Sequence, residues 1–213
     1  MKQSFSDQCS GKFNSVVNNL SMLIAIVMVV FLSACDSGKK QTEDAENGSA
    51  QQQEEQQEQQ DDDRTAKATM EAASGSKVTG DATFTDEGQG KVRFELTASN
   101  LTPGEHAVHI HEKGDCSAED ASSAGGHWNP TMKPHGKRGD GTSYHKGDIG
   151  NMTVGNDGNG KMSMTIDGWS IGGADSTNVV GKSVIIHEKA DDFKTQPSGN
   201  AGGRISCGVI KED

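Results

Sequence analysis

The chain has 213 residues, of which 24% are charged, and its formal net charge at pH 7 is −11. This acidic balance argues against a nucleic-acid partner, because a nucleic-acid-binding protein needs a basic surface that displaces the counterions of phosphate. The length allows one or two ordinary domains, and the uneven composition decides how much of the chain can form them.

The only long apolar run, LSMLIAIVMVVFL, covers residues 20–32 and follows two lysines. It is shorter than the roughly 18 to 20 apolar residues that a membrane-spanning helix needs, and it is typical of a signal peptide. The sequence LSAC that follows resembles a bacterial lipobox. We therefore expect residues 1–35 to be a lipoprotein signal peptide ending at Cys35, the alternative being an ordinary secretory signal. The protein would be exported and held at the cell envelope, periplasmic or on the outer surface, with the membrane as a partner through this lipid anchor.

Residues 36–65 contain ten acidic residues and eight glutamines, and their largest aliphatic residue is alanine. A segment of this composition cannot build a core, so we interpret it as a disordered acidic tether. Residues 66–213 remain for one globular domain, which is enough to bury a core.

Strand signals dominate the predicted domain. Apolar and polar residues alternate in VRFEL at residues 92–96 and in MSMTI at residues 162–166, which indicates strands with one buried face. The glycine-rich segments at residues 86–90 and 156–160 are typical of short β connections. These patterns predict an all-β sandwich or barrel.

Two long irregular stretches, about residues 112–148 and 188–203, interrupt the predicted strands. Loops of this length in a compact domain are usually functional. His109 and His111 lie two apart in the strand-like run AVHIH, so both side chains leave the same face and can reach one ion. His106 has an odd offset from them, and we interpret it as a structural residue that hydrogen-bonds to a loop backbone.

A second polar group comprises His127, His135, His145 and Asp148, which are suitable ligands for tetrahedral zinc. The alternative is a set of surface histidines that share no ion, but six candidate nitrogen ligands and one aspartate within about 80 residues favour a metal site. A zinc hydrolase would need an open zinc position, which Asp148 would fill.

Five segments of the sequence resemble the copper/zinc superoxide dismutase family. They are GEHAVHIHEKGDC (104–116), GGHWNP (125–130), YHKGD (144–148), IIHEKADD (185–192) and GNAGGRISCGVI (199–210). They occur in the family's order. The resemblance implies an eight-stranded Greek-key β-barrel, a sandwich-like architecture, with two long functional loops.

Carried over to this sequence, the resemblance implies ligands for two metals. The copper ligands would be His109, His111, His127 and His187, and the zinc ligands would be His127, His135, His145 and Asp148. His127 would then bridge both metals. The resemblance further implies that Asp191 links ligands of the two sites and that Arg204 faces the open copper position. It also implies a Cys116–Cys207 disulfide, and two cysteines behind an export signal are in any case expected to pair.

The implied reaction converts superoxide to dioxygen and hydrogen peroxide by alternating Cu(II) and Cu(I), with zinc in a structural and electrostatic role. Arg204 would position the anion, because a guanidinium stays ionised. A homodimer is one possible assembly. The alternative function is a non-enzymatic copper/zinc-binding protein on the same scaffold, since a fold does not fix a function. Arg204 favours the enzyme, because a pure carrier needs no anion guide.

Overall fold

The structure is a computed structural model, and it describes residues 64–213. The predicted signal peptide with Cys35 and all but the last two residues of the predicted tether lie outside the described residues. The first strand begins at Thr65, one residue before the predicted start of the domain. Within residues 64–213, no helix has both the length and the apolar character needed to cross a membrane.

The described part of the chain is built from strands and one short 3-10 helix, Ser122–Ala124. The strands are β1 (Thr65–Ala72), β2 (Thr79–Asp86), β3 (Lys91–Ser99), β4 (Gly104–His111), β5 (Asp148–Val154), β6 (Gly160–Asp167), β7 (Ser183–His187), β8 (Arg204–Val209) and β9 (Lys211–Glu212).

Eight of these strands close into an antiparallel barrel. Their order is β2-β3-β6-β5-β4-β7-β8-β1, and β1 also pairs with β2. The short β9 follows β8 and pairs with β1. The connections from β3 to β4 and from β6 to β7 pass over strands that lie between them in the sheet, as a Greek key requires. The expected eight-stranded barrel is therefore confirmed.

The barrel core contains an aromatic cluster. Phe84 on β2 and Phe94 on β3 are cross-strand partners with ring centroids 5.2 Å apart, and Trp169 packs 6.1 and 6.3 Å from them. The alternation that predicted strands at residues 92–96 and 162–166 has the expected inward face. Val92, Phe94 and Leu96 of β3 are buried, and the apolar residues of β6 are buried or half-buried. Every second side chain of these strands therefore points into the barrel and contributes to its core.

Both long loops occur where the sequence predicts them. One joins β4 to β5 over residues 112–147, and the other joins β7 to β8 over residues 188–203. The turns at residues 86–90 and 156–160 connect β2 to β3 and β5 to β6. Both loops begin where a metal-candidate histidine ends a strand. Because β4 and β7 pair with each other, both loops leave neighbouring strands of the barrel wall.

Two β-bulges lie beside these histidines. The register of β4 against β5 shifts between Val108 and His109, and that of β7 against β8 shifts between Ile186 and His187. Bulges commonly re-aim side chains next to functional sites. Val108 and Ile186 belong to the barrel core, so the histidine that follows each of them lies on the outer face of the wall. The long loops cover that face.

Candidate metal centre

The structure brings both predicted ligand sets together. In each set the candidate ligand atoms lie within 4.8 Å of one another. The first set is His109, His111, His127 and His187, and the second is His127, His135, His145 and Asp148. His127 belongs to both sets, as the family resemblance implies.

A closed ring of backbone hydrogen bonds fixes the long loop against β4. The Trp128 N–H donates to the Ile110 carbonyl (2.8 Å), the Ile110 N–H to the Gly147 carbonyl (2.9 Å) and the Gly147 N–H to the Trp128 carbonyl (2.9 Å). A Cβ atom at Gly147 would lie 2.2 Å from the Ile110 oxygen, so this position requires glycine. Ile110 precedes His111, Trp128 follows His127 and Gly147 precedes Asp148, so the ring sets the spacing between these three ligands.

The first set presents bare ring nitrogens to one another. Within residues 64–213, four buried ring nitrogens of the first set have no hydrogen-bond partner: His109 Nδ1, His111 Nε2, His127 Nε2 and His187 Nε2. Leaving a buried polar atom unpaired costs free energy, so such atoms are rare unless a ligand satisfies them. The four unpaired nitrogens, one from each ligand of the first set, fit a metal ion held by four imidazoles.

The second set is arranged around Asp148. Its Oδ1 lies 2.8 Å from His127 Nδ1 and 3.3 Å from His145 Nδ1, and its Oδ2 lies 3.0 Å from His135 Nδ1. The backbone N–H of His145 also donates to Oδ2 (2.8 Å), which fixes the carboxylate. Although burial acts to raise the pKa of Asp148, the hydrogen bonds with the three histidines hold it well below its usual range. Three Nδ1 atoms and an ionised carboxylate fit tetrahedral zinc.

Burial favours the neutral, metal-binding form of His127 and His187. It lowers the pKa of His127 to about 4 and that of His187 to about 3, so both imidazoles are neutral near pH 7. Burial also acts to lower the pKa of His135, but its hydrogen bonds to Asp148 and Asp191 outweigh burial and raise this pKa to about 9. Because metals bind the neutral ring, zinc binding at His135 would release a proton.

Asp191 connects the two sets. Its Oδ2 lies 2.8 Å from His109 Nε2 and its Oδ1 lies 2.9 Å from His135 Nε2. Asn151 on β5 holds Asp191 through both backbone groups, because the Asp191 N–H donates to Asn151 Oδ1 (2.7 Å) and Asn151 Nδ2 donates to the Asp191 carbonyl (3.0 Å). A Cβ atom at Gly199 would lie 1.8 Å from Asp191 Oδ1. Sequence reasoning missed Asn151 and this role of Gly199, because no local pattern marks them.

Backbone carbonyls engage the remaining ring nitrogens of the first set. His111 Nδ1 lies 2.9 Å from the Gly125 oxygen, and His187 Nδ1 lies 3.3 Å from the Gly202 oxygen. Such partners fix ring orientation and tautomer. His106 stays outside both sets, with its Nδ1 2.8 Å from the His187 carbonyl oxygen. Its Nε2 lies 2.9 Å from the Thr102 carbonyl oxygen in the loop between β3 and β4, so the predicted hydrogen bond to a loop backbone is confirmed.

Arg204 lines a cavity of about 420 Å³ that also reaches His111, His127 and His187. Its guanidinium donates to the carbonyls of Ala121 (2.6 Å) and Gly125 (2.7 Å), both on the loop of residues 112–147. Burial lowers the pKa of Arg204 from its usual value, yet a guanidinium remains ionised in proteins. A fixed cation therefore lies at the mouth of the first set.

The predicted disulfide is present between Cys116 and Cys207, whose Cα atoms are 5.8 Å apart. Cys116 lies in the loop of residues 112–147, and Cys207 lies on β8 three residues after Arg204. The bond therefore attaches the loop whose carbonyls accept from Arg204 to the strand that carries Arg204.

An eight-stranded antiparallel barrel with two histidine-rich ligand sets that share one imidazole defines a metalloprotein with a binuclear centre. The family model for copper/zinc superoxide dismutase (SODC) matches residues 78–210. The superoxide dismutase (Cu-Zn) of Deinococcus radiodurans is 38% identical over 160 residues, which is 69% of this chain and 84% of that protein.

Among solved structures, the crystal structure of the clock protein EA4 is similar, with a TM-score of 0.61 and 37% sequence identity. The match covers 69% of this chain and 93% of that one. The chain therefore belongs to the copper/zinc superoxide dismutase family. It is an enzyme of the oxidoreductase class, and the cofactors of its family are copper and zinc.

Proposed function

We propose that this chain converts superoxide to dioxygen and hydrogen peroxide, with copper at the first ligand set and zinc at the second. One observation carries the proposal: unpaired ring nitrogens of His111, His127 and His187 meet at a cavity that the Arg204 cation also lines. When bound, copper supplies one-electron redox chemistry, which zinc lacks.

The donor atoms support this distribution of the metals. The first set offers four imidazole nitrogens, which suit copper, and it borders the cavity. The second set adds the carboxylate of Asp148, and three imidazoles with one carboxylate complete a tetrahedral zinc shell. A closed shell suits a structural and electrostatic role for zinc.

Two residues have roles in the reaction itself. Arg204 binds and orients the small anion, since the two backbone carbonyls hold its guanidinium in place at the cavity. His127 directs Nδ1 toward the second set and Nε2 toward the first. Nε2 can hold a proton whenever it is free of metal, and it then supplies one of the two protons that hydrogen peroxide requires. Asp191 keeps His109 and His135 oriented.

The test is superoxide consumption by the purified full-length chain at equal copper content. We expect turnover far above that of free copper, with a loss of about tenfold or more in Arg204→Ala, which removes a fixed charge from the reacting site. Arg93→Ala is the matched control, because Arg93 is an exposed barrel arginine paired with Glu87. Copper bound tightly without turnover above free copper would contradict the proposal and leave a metal-binding protein.

We further propose that the protein is exported and anchored by lipid at the cell envelope, periplasmic or on the outer surface, through Cys35. The apolar run at residues 20–32 and the LSAC segment support this proposal. In a bacterial host, radiolabelled palmitate should enter the wild-type chain and be absent from Cys35→Ala. An unlabelled wild-type chain in the soluble fraction would contradict lipid anchoring.

On the strength of the family resemblance, we extend the proposal to a homodimer. Sedimentation equilibrium of the purified protein should then give twice the mass of one chain, as measured by mass spectrometry on the same sample. A monomer at micromolar concentration would contradict this assembly.

A further inference from the structure

The loop of residues 112–147 contains a half-buried arginine that neither the sequence nor the reaction accounts for. Arg138 Nε–H donates to the Asp148 carbonyl at 2.9 Å, and its Nη2 donates to the Lys146 carbonyl. Asp148 is a zinc-side ligand, and Lys146 directly follows the ligand His145. The two donors of one guanidinium therefore reach the backbone of the segment that carries two ligands.

Aromatic rings enclose the Arg138 guanidinium. Its central carbon lies 4.7 Å from the centroid of the Tyr144 ring and 5.6 Å from that of Trp169. Trp169 belongs to the barrel core, and its Nε1–H donates to the same Lys146 carbonyl at 3.1 Å. The Lys146 carbonyl oxygen thus accepts hydrogen bonds from Arg138 in the loop and from Trp169 in the core. Through this oxygen, the ligand segment is attached to the barrel.

The guanidinium makes no ion pair within residues 64–213, since no carboxylate oxygen of these residues lies within salt-bridge distance of Arg138. Its contacts are the two backbone carbonyls and the rings of Tyr144 and Trp169. Because its hydrogen bonds go to the segment that carries His145 and Asp148, these contacts indicate a role in holding the two carbonyls.

We propose that Arg138 is a positioning residue for zinc, which holds His145 and Asp148 in ligand geometry by bridging the carbonyls of Lys146 and Asp148. The inference rests on the proposed function, because it assumes that zinc occupies the second ligand set. A lysine has a point charge in place of a planar fork and cannot span the two carbonyls in this way. Arg138→Lys therefore tests whether the planar pair of donors is needed. Arg138→Met removes the hydrogen-bond donors and keeps an unbranched apolar side chain.

The first measurement is zinc affinity of the full-length protein by competition with a chromophoric chelator. We expect a loss of about 10–100-fold in Arg138→Met, the range seen when partners of metal ligands are removed, and a smaller loss in Arg138→Lys. Arg93→Met is the matched control and should bind zinc like the wild type. The second measurement is the visible absorption of cobalt at the zinc side, whose band shape should change in both Arg138 variants and stay unchanged in the control.

A milder variant checks the same attachment from the core. Trp169→Phe keeps an aromatic ring in the core but removes the donor to the Lys146 carbonyl and part of the indole volume. The two donors of Arg138 remain, so zinc affinity should fall less than in Arg138→Met. Far-ultraviolet circular dichroism confirms that each variant keeps the barrel.

The outcomes separate the two proposals. A wild-type chain that binds no zinc would overturn the proposed function. A wild-type chain that binds zinc, with Arg138→Met binding it equally well and giving an unchanged cobalt spectrum, would overturn the role of Arg138 alone. Loss of the barrel in both Arg138 variants would also overturn it, because Arg138 would then serve barrel stability rather than zinc positioning.

Discussion

The disulfide closes a long loop, so its removal should have a large and calculable effect on the stability of the metal-free chain. Cys116 and Cys207 are 91 residues apart in the sequence. In the chain-entropy model, the unfolded chain gains about 2.1 + 1.5R ln n cal/mol/K when a loop of n residues is opened. For a loop of this length the free energy of unfolding should fall by about 4–5 kcal/mol at 25 °C.

The best assay compares three forms of the metal-free protein in urea and in thermal unfolding. They are the oxidised wild type, the reduced wild type and Cys116→Ala/Cys207→Ala. For a domain of this size, a loss of about 4–5 kcal/mol corresponds to a fall in Tm of about 8–20 °C. The reduced wild type keeps both sulfur atoms, so it separates the covalent link from the packing of Cys207, which is only 3% exposed.

The two altered forms distinguish the physical causes. Equal losses in the reduced wild type and the double variant would assign the effect to the link. A loss below about 1 kcal/mol in the reduced wild type would refute the loop-entropy reasoning. It would show that strand pairing holds β8 and the loop together without the covalent bond.

Two further substitutions test groups around the ligands. Asp191→Asn keeps the size of the side chain but leaves one acceptor oxygen for His109 and His135. Zinc or copper affinity should therefore fall about 10–100-fold in chelator competition. Unchanged affinity for both metals would contradict the bridging role. His106→Leu removes the hydrogen bond to the buried His187 carbonyl and should lower the free energy of unfolding by about 1–3 kcal/mol in urea titration, whereas a neutral effect would mean that water replaces the imidazole.

Local sequence patterns predicted the parts of the fold that depend on local physics. Alternation at residues 92–96 and 162–166 reports the face that each strand buries, and glycine-rich turns report positive φ, which Gly88 and Gly158 adopt at 75° and 74°. The two-residue spacing of His109 and His111 likewise follows from strand geometry. Closure of eight strands into a barrel has no local signal, and it was expected only from the family resemblance.

The supporting contacts of the site could not be predicted from the sequence, because their partners are distant and mostly backbone atoms. Asn151 recognises the backbone of Asp191 across 40 residues, and the Gly125 carbonyl meets His111 across 14. Arg138 binds carbonyls, which every residue possesses, so no residue type marks its partners. The β-bulge before His109 also has no local sequence signal, since it arises from the pairing of β4 with β5.

The two ligand sets differ in how the fold prepares them. Three ligands of the first set lie on β4 and β7, whose backbones are fixed by pairing on both sides, whereas three ligands of the second set lie in the loop of residues 112–147. A loop has fewer ladder hydrogen bonds, so it opens at a lower free energy than a barrel strand. The disulfide, Asp191 and the proposed contacts of Arg138 therefore act where strand pairing is absent, and they hold the ligands of the second set against the strands that carry the first set.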